Sequence, residues 1–267
     1  MSETNGARST RRPESKYAIT RDQYDAVLLD LDGVITDTAS VHATCWKQMF
    51  DEYLQRRAKQ RGEVFRPFDP ATDYRLYVDG KPRFDGVRDF LTSRGIQLPE
   101  GSPGDPPQAE TVCGLGNRKN DLVNKIIEDT GVEPYEGSVK LIRQLRHHGF
   151  KIAVVTSSQN YAAVLRAAKL DAFFDIRVDG NTILAEHLAG KPAPDTFLMA
   201  AKLLGIEPSR AVVIEDALSG VEAGSSGNFG LVIGVARKGN AEELRQHGAH
   251  LVVNDLGDLA VVAGTIR

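Results

Sequence analysis

Short apolar runs and helix-like patterns alternate along most of the chain. Runs such as 27–31 and 151–155 are rich in Val, Ile and Leu, which is typical of buried strands. Between the runs, apolar residues recur at spacings of three and four, which is typical of amphipathic helices. Strands that alternate with helices indicate a doubly wound parallel sheet, so the pattern predicts an α/β fold. The predicted strands are 27–31, 151–155, 173–178, 211–214, 231–235 and 251–253, and the predicted helices around the later strands are 139–147, 161–169, 196–204 and 241–246.

The region from about residue 38 to residue 133 interrupts this alternation. Helical periodicity occurs at 41–57, 87–93 and 118–130, but no clear apolar strand is followed by a crossover helix. The segment 98–108 is rich in proline and glycine, which predicts an exposed loop. The region therefore has the pattern of a helical unit inserted into the sheet domain.

The chain divides into three parts on this pattern. Residues 17–36 and 135–267 are predicted to form the sheet domain, and residues 37–134 are predicted to form an inserted α-helical cap. Residues 1–16 contain almost nothing that could be buried, so we expect a disordered tail there.

Composition narrows the class of protein. A net charge of -3 and a pI near 6.1 give no global reason to expect nucleic acid or an anionic membrane as a partner. No stretch approaches the roughly 18 apolar residues of a membrane span, and the N-terminal stretch lacks the apolar region of a signal peptide. Cys45 and Cys113 are too few for a disulfide framework. We expect a cytoplasmic protein that is a monomer or a weak homo-oligomer.

Two carboxylates follow the first predicted strand. Asp30 and Asp32 are separated by one residue, so in an extended chain they point to the same side, beyond the carboxyl end of the strand. Open α/β sheets bind ligands at that edge. Two neighbouring acids repel each other unless a cation or a shared proton offsets their charge, and carboxylate oxygens suit Mg²⁺. The alternative is a helix N-cap and a turn aspartate, and this motif alone leaves both interpretations open.

Further polar residues stand at predicted strand ends or just before the next helix, namely Thr156, Ser157, Lys191, Glu215 and Asp216. Because the carboxyl ends of parallel strands share one edge, we expect these side chains to meet the two carboxylates there. Each has a local alternative, as a helix cap or a surface lysine. Together they supply a nucleophile, a second carboxylate for proton transfer, a hydroxyl, an ammonium group and metal ligands. The combination predicts phosphoryl transfer.

Four motifs carry a resemblance to a known superfamily. D-L-D-G-V begins at Asp30, the hydroxyl motif is Thr156, G-K-P-A-P-D begins at Gly190 and E-D-A begins at Glu215. In order and spacing, the chain resembles phosphotransferases of the haloacid dehalogenase superfamily. The resemblance covers nearly everything after the tail. It implies a Rossmann-like core with a helical cap.

The resemblance also implies roles for the motif residues. Asp30 is expected to form an aspartyl-phosphate, and Asp32 to protonate the departing sugar oxygen and deprotonate the next acceptor. Mg²⁺ is the expected cofactor, bound by the Asp30 side chain, the Asp32 carbonyl and an acidic pair. The implied catalytic residues are Asp30, Asp32, Thr156 and Lys191, and the implied metal ligands are Asp30, Asp32, Glu215 and Asp216.

A narrower resemblance is to the β-phosphoglucomutase family. The first motif of that family continues as D-x-D-G-V-I-T-D-T-A, followed by a histidine and a W-K pair, and this chain reproduces it from Asp30 to Lys47. The cap resemblance includes Arg83 and R-K-N-D at 118–121. It implies a sugar phosphate as the small-molecule partner, with Arg83 on its second phosphate. The implied substrate-binding residues are Thr38, His42, Arg83, Lys119, Asn120, Ser157, Ser158 and Asn160.

The sequence departs from the family pattern at residues 77–81, at the proline-glycine loop and at Gln159, where the well-known bacterial mutase has a lysine. These departures concern the sugar more than the chemistry. A cap that excludes water favours transfer between sugar hydroxyls, whereas access of water gives a Mg²⁺-dependent sugar-phosphate phosphatase. A non-catalytic sugar-phosphate sensor is a third alternative. A dehalogenase is disfavoured, because that chemistry does not need Asp32 or a metal-binding acidic pair.

Overall fold

A parallel sheet forms the centre of the structure, a computed structural model that describes residues 17–237 and 239–264. The tail predicted at 1–16 lies outside the described residues. The strands are β1 (Tyr17–Thr20), β2 (Ala26–Leu29), β3 (Lys151–Val155), β4 (Ile176–Val178), β5 (Ala211–Glu215), β6 (Leu231–Val235), β7 (Leu251–Val253) and β8 (Leu259–Val262). Six of them form one sheet in the order β4-β3-β2-β5-β6-β7, with all neighbours parallel. The predicted doubly wound α/β fold is confirmed.

Strand β2 lies at the centre of this sheet. All four of its residues are buried, because helices cover both faces of a parallel sheet and leave no polar face. Leu29, at its carboxyl end, pairs with Val154 of β3 on one side and Ile214 of β5 on the other. This register brings the residues that follow β2, β3 and β5 to one edge.

The helices are α1 (Ala39–Arg61), α2 (Arg83–Ser93), α3 (Val112–Thr130), α4 (Glu136–His147), α5 (Tyr161–Ala167), α6 (Gly180–Ala185), α7 (Asp195–Leu204), α8 (Leu218–Ser226) and α9 (Ala241–Gln246). A π-helical turn, Tyr74–Val78, precedes α2. In the described residues, no helix combines the length and the apolar character that crossing a membrane requires.

Helices α1 to α3 form the region that we call the cap (37–134). Its hydrophobic core is largely aromatic, with the rings of Phe50 and Phe90 at 4.1 Å and those of Phe50 and Phe68 at 5.3 Å between centroids. The clusters that line the sheet are mainly aliphatic. The cap therefore has a core of its own above the carboxyl edge of the sheet.

Several features of the fold differ from the sequence prediction, among them the start of α3, a π-helical turn and a second sheet. Helix α3 begins at Val112 rather than at 118. Its first turn contains glycines, which have a low helix propensity, but the Thr111 side chain caps this turn by accepting a hydrogen bond from the Gly114 N–H. The π-helical turn was not predicted. The second sheet, in which β1 pairs with β8 and Tyr17 lies beside Leu259, was not predicted either. Four-residue strands far apart in sequence carry little periodicity.

Candidate active site

A cavity lies between the carboxyl edge of the sheet and the cap. Its walls combine residues that follow the strands with residues from α1, α3 and the segment before α2. The predicted site residues that line it are Asp30, Asp32, His42, Arg83, Lys119, Asn120, Thr156, Ser157, Ser158 and Asp216.

A buried group of charges lies at the sheet edge, and we call Asp30, Lys191, Glu215 and Asp216 the core cluster. The Lys191 ammonium donates to Asp30 Oδ1 at 2.6 Å and to Glu215 Oε1 at 2.5 Å. It also donates to the Val155 carbonyl at 3.2 Å. The side chains of Lys191 and Glu215 are 0% exposed. These partners stand at the ends of β2, β3 and β5, so the sheet register determines their spacing.

Burial and charge act together on the core cluster. Burial raises the pKa of Asp30 well above its ordinary value, and the charges of Glu215 and Asp216 add to this effect while Lys191 opposes it. Burial disfavours the charged form of Lys191, but Asp30 and Glu215 outweigh burial and raise its pKa. One ammonium group thus faces several carboxylates, and the cluster favours a further cation.

The acidic residues of the core cluster fit a divalent metal ion. Asp30, Glu215 and Asp216 each offer a carboxylate oxygen, and these oxygens lie within 4.8 Å of one another. Gly33, with φ 87°, leaves room for this arrangement, because a Cβ there would lie 2.2 Å from Asp216 Oδ2. Glu215 is fixed by the N–H groups of Asp216 and Ala217, which donate to its Oε2 at 3.0 and 3.2 Å. Hard oxygen donors of this kind suit Mg²⁺.

Asp32 lies beside the core cluster in a different environment. Its carboxylate accepts a hydrogen bond from Thr38, and the Thr156 hydroxyl lies at 3.5 Å. His42 Nε2 lies 3.4 Å from Asp32 Oδ1. Burial alone would raise the pKa of Asp32, but His42 and the Thr38 hydrogen bond lower it to about 2. Asp32 is therefore ionised at neutral pH.

Lys119 of the cap reaches the other side of the same histidine. Its ammonium lies 2.7 Å from His42 Nδ1 and 4.9 Å from the centre of the Trp46 ring. The two ring nitrogens of His42 thus face Lys119 on one side and Asp32 on the other. Burial lowers the pKa of Lys119 to about 8, although Asp32 works in the opposite direction.

A second hydrogen-bonded group joins the cap to the core, and we call Arg83, Asn117 and Gln159 the boundary cluster. The Arg83 guanidinium donates to Gln159 Oε1 and, at 2.8 Å, to Asn117 Oδ1. Its Nε is buried without a hydrogen-bond partner. Among residues 17–237 and 239–264, no carboxylate lies within ion-pair distance of Arg83, so its charge is surrounded by neutral amide oxygens.

Several of the residues that were predicted to bind the substrate form hydrogen bonds with other protein groups, and some of them do not line the cavity. Thr38 contacts Asp32 and does not line the cavity, and neither does Asn160, which donates to Asn120 Oδ1 at 3.0 Å. The Ser157 hydroxyl donates to the Gly80 carbonyl at 2.8 Å. Lys191 and Glu215 lie behind the cavity wall.

Sequence reasoning did not assign a site role to Trp46, Tyr74, Asp79, Asn117 or Gln159. Trp46, Tyr74, Asp79 and Gln159 line the cavity, and Asn117 holds Arg83. Asn117 directly precedes the R-K-N-D motif, and this adjacency was the available signal. An aspartate before a glycine is typical of a turn, so Asp79 carried no such signal.

Comparisons with known proteins find relatives that match most of the chain. A family model described as haloacid dehalogenase-like hydrolase matches residues 24–228. The chain is 56% identical over 237 residues to a β-phosphoglucomutase of Mycobacterium bovis, covering 88% of this chain and 90% of that protein. It is 30% identical to the β-phosphoglucomutase of Bacillus subtilis, covering 88% and 92%.

Solved structures show the same relationship. The crystal structure of β-phosphoglucomutase from Clostridium difficile has a TM-score of 0.69 and 26% identity, and the match covers 88% of this chain and 92% of that one. A family model over most of the chain and a closely similar mutase of nearly the same length establish the family. The chain belongs to the haloacid dehalogenase-like hydrolase family and, within it, to the β-phosphoglucomutase enzymes, which transfer phosphoryl groups.

Proposed function

We propose that this enzyme interconverts β-glucose 1-phosphate and glucose 6-phosphate through an aspartyl-phosphate and a bisphosphate. Two relatives that each match 88% of this chain carry the name β-phosphoglucomutase. The core cluster supplies a carboxylate nucleophile, Asp30, next to a buried ammonium group that stabilises phosphate oxygens.

Mg²⁺ is the proposed cofactor, held by the carboxylates of Asp30, Glu215 and Asp216 together with the Asp32 carbonyl. When bound, it neutralises negative charge on the phosphoryl group and on the nucleophile. Three oxygen donors within 4.8 Å of one another support this assignment.

Asp32 begins the cycle as a base. Because its pKa is about 2, it is ionised when a sugar monophosphate meets the aspartyl-phosphate. It accepts the proton of the attacking sugar hydroxyl as the new O–P bond forms and the bond from phosphorus to Asp30 breaks. Thr156 and Lys191 hold the phosphoryl oxygens in this step, and Lys191 does so by turning the N–H that it donates to Asp30 toward the phosphoryl group. The product is a bisphosphate and free Asp30.

The second half reverses these roles at the other phosphate. The bisphosphate turns round, and Asp30 attacks the second phosphorus. Asp32 returns its proton to the sugar oxygen as the bond from that oxygen to phosphorus breaks. The isomeric monophosphate leaves and the aspartyl-phosphate is restored.

The observation that carries the mutase proposal is the environment of Arg83. Its guanidinium is partly buried, faces neutral amides and has a buried Nε without a partner. A second phosphate supplies the missing negative charge through a bidentate contact. A simple phosphatase does not need a second phosphate site.

The central experiment incubates the enzyme with Mg²⁺, β-glucose 1-phosphate and trace bisphosphate, and measures glucose 6-phosphate and free phosphate together. We expect glucose 6-phosphate with little free phosphate. Release of free phosphate without the isomer would indicate a phosphatase rather than a mutase. If neither product forms, a different sugar substrate or the non-catalytic sensor is favoured. Asp30→Asn is expected to abolish turnover, and retained activity would refute covalent transfer through Asp30.

Arg83→Ala separates the mutase from a phosphatase. We expect the kcat/KM of isomerisation to fall about 10- to 100-fold more than the kcat/KM of aryl phosphate hydrolysis, because only the sugar reaction uses a second phosphate. Arg88→Ala is the matched control, since Arg88 lies on the same helix and pairs with Asp85 and Glu100 at the surface. Equal losses in both reactions would contradict the role of Arg83.

A further inference from the structure

The proline-glycine loop at 98–111 is a part of the cap to which the proposed reaction gives no role. Most of its residues are exposed, yet hydrogen bonds hold the loop in place. The Thr111 hydroxyl donates to Asp105 Oδ2 at 2.7 Å within the loop. Arg118 Nε of α3 donates to the Pro107 carbonyl at 2.8 Å. The loop therefore follows a defined path beside α3.

Two carbonyl groups of this loop determine the orientation of one side-chain amide. Asn117 Nδ2 donates to the Pro103 carbonyl at 3.0 Å and to the Asp105 carbonyl at 2.8 Å. Both N–H groups of the amide are thus used, and its Oδ1 accepts from Arg83 Nη2 at 2.8 Å on the other side. A reversed amide would place its oxygen against two carbonyl oxygens and its N–H groups against a guanidinium, so the loop permits one orientation.

Two glycines of α3 allow the close packing behind these contacts. A Cβ at Gly114 would lie 2.3 Å from the Ala109 carbonyl oxygen, so glycine lets the loop lie against the helix. A Cβ at Gly116 would lie 2.7 Å from the Phe84 ring, so glycine there lets α3 approach the first turn of α2, which contains Arg83. The two glycines lower the helix propensity of α3, but they bring both the loop and α2 into contact with it.

The acceptors around Arg83 suit a ligand-binding group. Asn117 and Gln159 are neutral, so they orient the guanidinium without neutralising its charge. Arg88, further along the same helix, pairs with two carboxylates instead. A carboxylate would compete with a phosphate for the guanidinium, whereas an amide oxygen leaves the charge to the phosphate. Because an arginine side chain has many rotamers, fixing one of them in advance reduces the entropy lost when the phosphate binds.

We propose that Asn117 is a positioning residue, through which the loop 98–111 orients Arg83 for the second phosphate. This inference rests on the proposed function, because the second phosphate belongs to the mutase reaction. Asn117 does not line the cavity, so it acts on the substrate through Arg83. The loop, which departs from the family pattern, thereby becomes part of the support for the substrate site.

The test compares the wild type with Asn117→Leu, Arg83→Ala and the double variant. Leucine has nearly the shape of asparagine but forms none of the three hydrogen bonds. kcat and KM are measured for β-glucose 1-phosphate with Mg²⁺ and trace bisphosphate, and for hydrolysis of a small aryl phosphate. We expect Asn117→Leu to raise KM for the sugar phosphate about five- to tenfold, to lower kcat less than this, and to leave aryl phosphate hydrolysis within about twofold.

The double variant shows whether Asn117 acts through Arg83. Once Arg83 is alanine, the further change of Asn117 should not alter isomerisation, because the group that it positions is gone. Asn124→Leu is the matched control, since Asn124 lies on the same helix and does not line the cavity. An unchanged KM in Asn117→Leu would overturn the inference. So would equal losses in both reactions, or equal factors for Asn117→Leu with and without Arg83.

Asp105→Ala tests the loop while Asn117 stays in place. It removes the hydrogen bond from Thr111 and loosens the turn whose carbonyl holds the Asn117 amide. We expect KM for the sugar phosphate to rise about two- to threefold, and no further rise when Asp105→Ala is added to Arg83→Ala. This pair also decides the inference if Asn117→Leu does not fold. An unchanged KM in Asp105→Ala would contradict a role for the loop.

The orientation of Arg83 can also be measured without turnover. The NMR signals of its guanidinium nitrogens are identified by their absence in Arg83→Ala. We expect separate signals for the two Nη groups in the free wild type and averaged signals in Asn117→Leu, because rotation is then less restricted. Identical signals in both would contradict the positioning role. If the wild type releases phosphate without forming an isomer, the mutase proposal fails, but these signals still decide whether Asn117 orients Arg83.

Discussion

The core cluster and the boundary cluster contribute to one site but are held in position by different means. The core cluster is buried, and its three carboxylates lie at the ends of paired strands, so the register that aligns Leu29 with Ile214 also aligns Asp30 with Glu215. The boundary cluster draws Arg83 from α2, Asn117 from α3 and Gln159 from the core. It exists only when cap and core are in contact.

This difference separates chemistry from selection. Groups that follow a rigid sheet are preorganised, which favours the transfer step itself. Groups that come together at a domain boundary respond to closure, which favours the choice of substrate and the exclusion of water. Damage to the core cluster should therefore abolish the reaction, whereas damage at the boundary should change which acceptor receives the phosphoryl group.

The largest effect is expected from Lys191→Met. Removing the ammonium leaves Asp30 and Glu215 buried without their cationic partner, which costs about 3–5 kcal/mol of unfolding free energy. The loss of a charged donor to the phosphoryl group lowers kcat by about 100- to 1000-fold or more. Urea denaturation in EDTA and turnover with Mg²⁺ measure the two effects. Lys202→Met, an exposed lysine on α7, is the control.

An unchanged free energy of unfolding in Lys191→Met would mean that the buried carboxylates do not need Lys191 to stay folded. It would contradict the view that the core cluster is held together by its buried charges. Addition of Mg²⁺ should recover part of the lost stability in this variant, since a cation then faces the carboxylates again. Recovery by NaCl at the same ionic strength would contradict a specific metal site.

An intermediate effect is expected from pH, through Lys119. Burial lowers its pKa to about 8, so above that pH the group loses its proton and its donation to His42. We expect kcat/KM for the sugar phosphate to fall about fivefold between pH 8 and pH 9, as the protonated fraction of Lys119 does. In Lys119→Met, kcat/KM should be low and should not show this fall. A wild-type profile that stays level to pH 9.5 would exclude a required charge on Lys119.

The lowered pKa of Lys119 also predicts how the unfolding free energy changes with pH. In the unfolded chain a lysine has a pKa of about 10.4, above the value of about 8 in the folded protein. Between these values the unfolded state binds more protons, so the contribution of Lys119 to the unfolding free energy rises with pH and levels off above about 10.4. The difference in urea midpoint between wild type and Lys119→Met at pH 7.5 and pH 9.5 measures this contribution.

The contrast also explains what could be predicted from the sequence. Asp30, Thr156 and Glu215 follow or end short apolar runs rich in Val and Ile, which favour buried strands. Because parallel strands bring their carboxyl ends together, these side chains were expected at one edge before the structure was known. Lys191 has no strand immediately before it and was assigned through its order among the motifs. Its two ion pairs, however, depend on packing that no local pattern encodes.

The boundary cluster was beyond such reasoning. Asn117 and Gln159 are uncharged and lie far apart in sequence, and only the contact between cap and core brings their amide oxygens to Arg83. The π-helical turn before Asp79 has hydrogen bonds between residues five apart, and the apolar spacings used to predict α-helices and strands do not detect such a turn. Residues defined by contact between two units are found from the structure rather than from the chain.

The smallest effect is expected from an ion pair outside the cavity. Arg75, in the π-helical turn, donates to both oxygens of Glu243 on α9 at 2.7 and 2.6 Å and so joins cap to core. Both side chains are more than a third exposed, so the pair contributes about 0.2–1 kcal/mol to closure. Arg75→Ala should raise KM for the sugar phosphate about two- to fivefold at low salt, and less at 0.5 M NaCl.

Arg75→Ala also tests whether closure alone controls the acceptor. A cap that opens more often admits water, so free phosphate released per glucose 6-phosphate formed should rise in Arg75→Ala even though no cavity residue has changed. Arg56→Ala is the control, because Arg56 pairs with Glu110 within the cap. If the phosphate ratio rises equally in both variants, the stability of the cap, not its attachment to the core through Arg75, governs the choice between sugar and water.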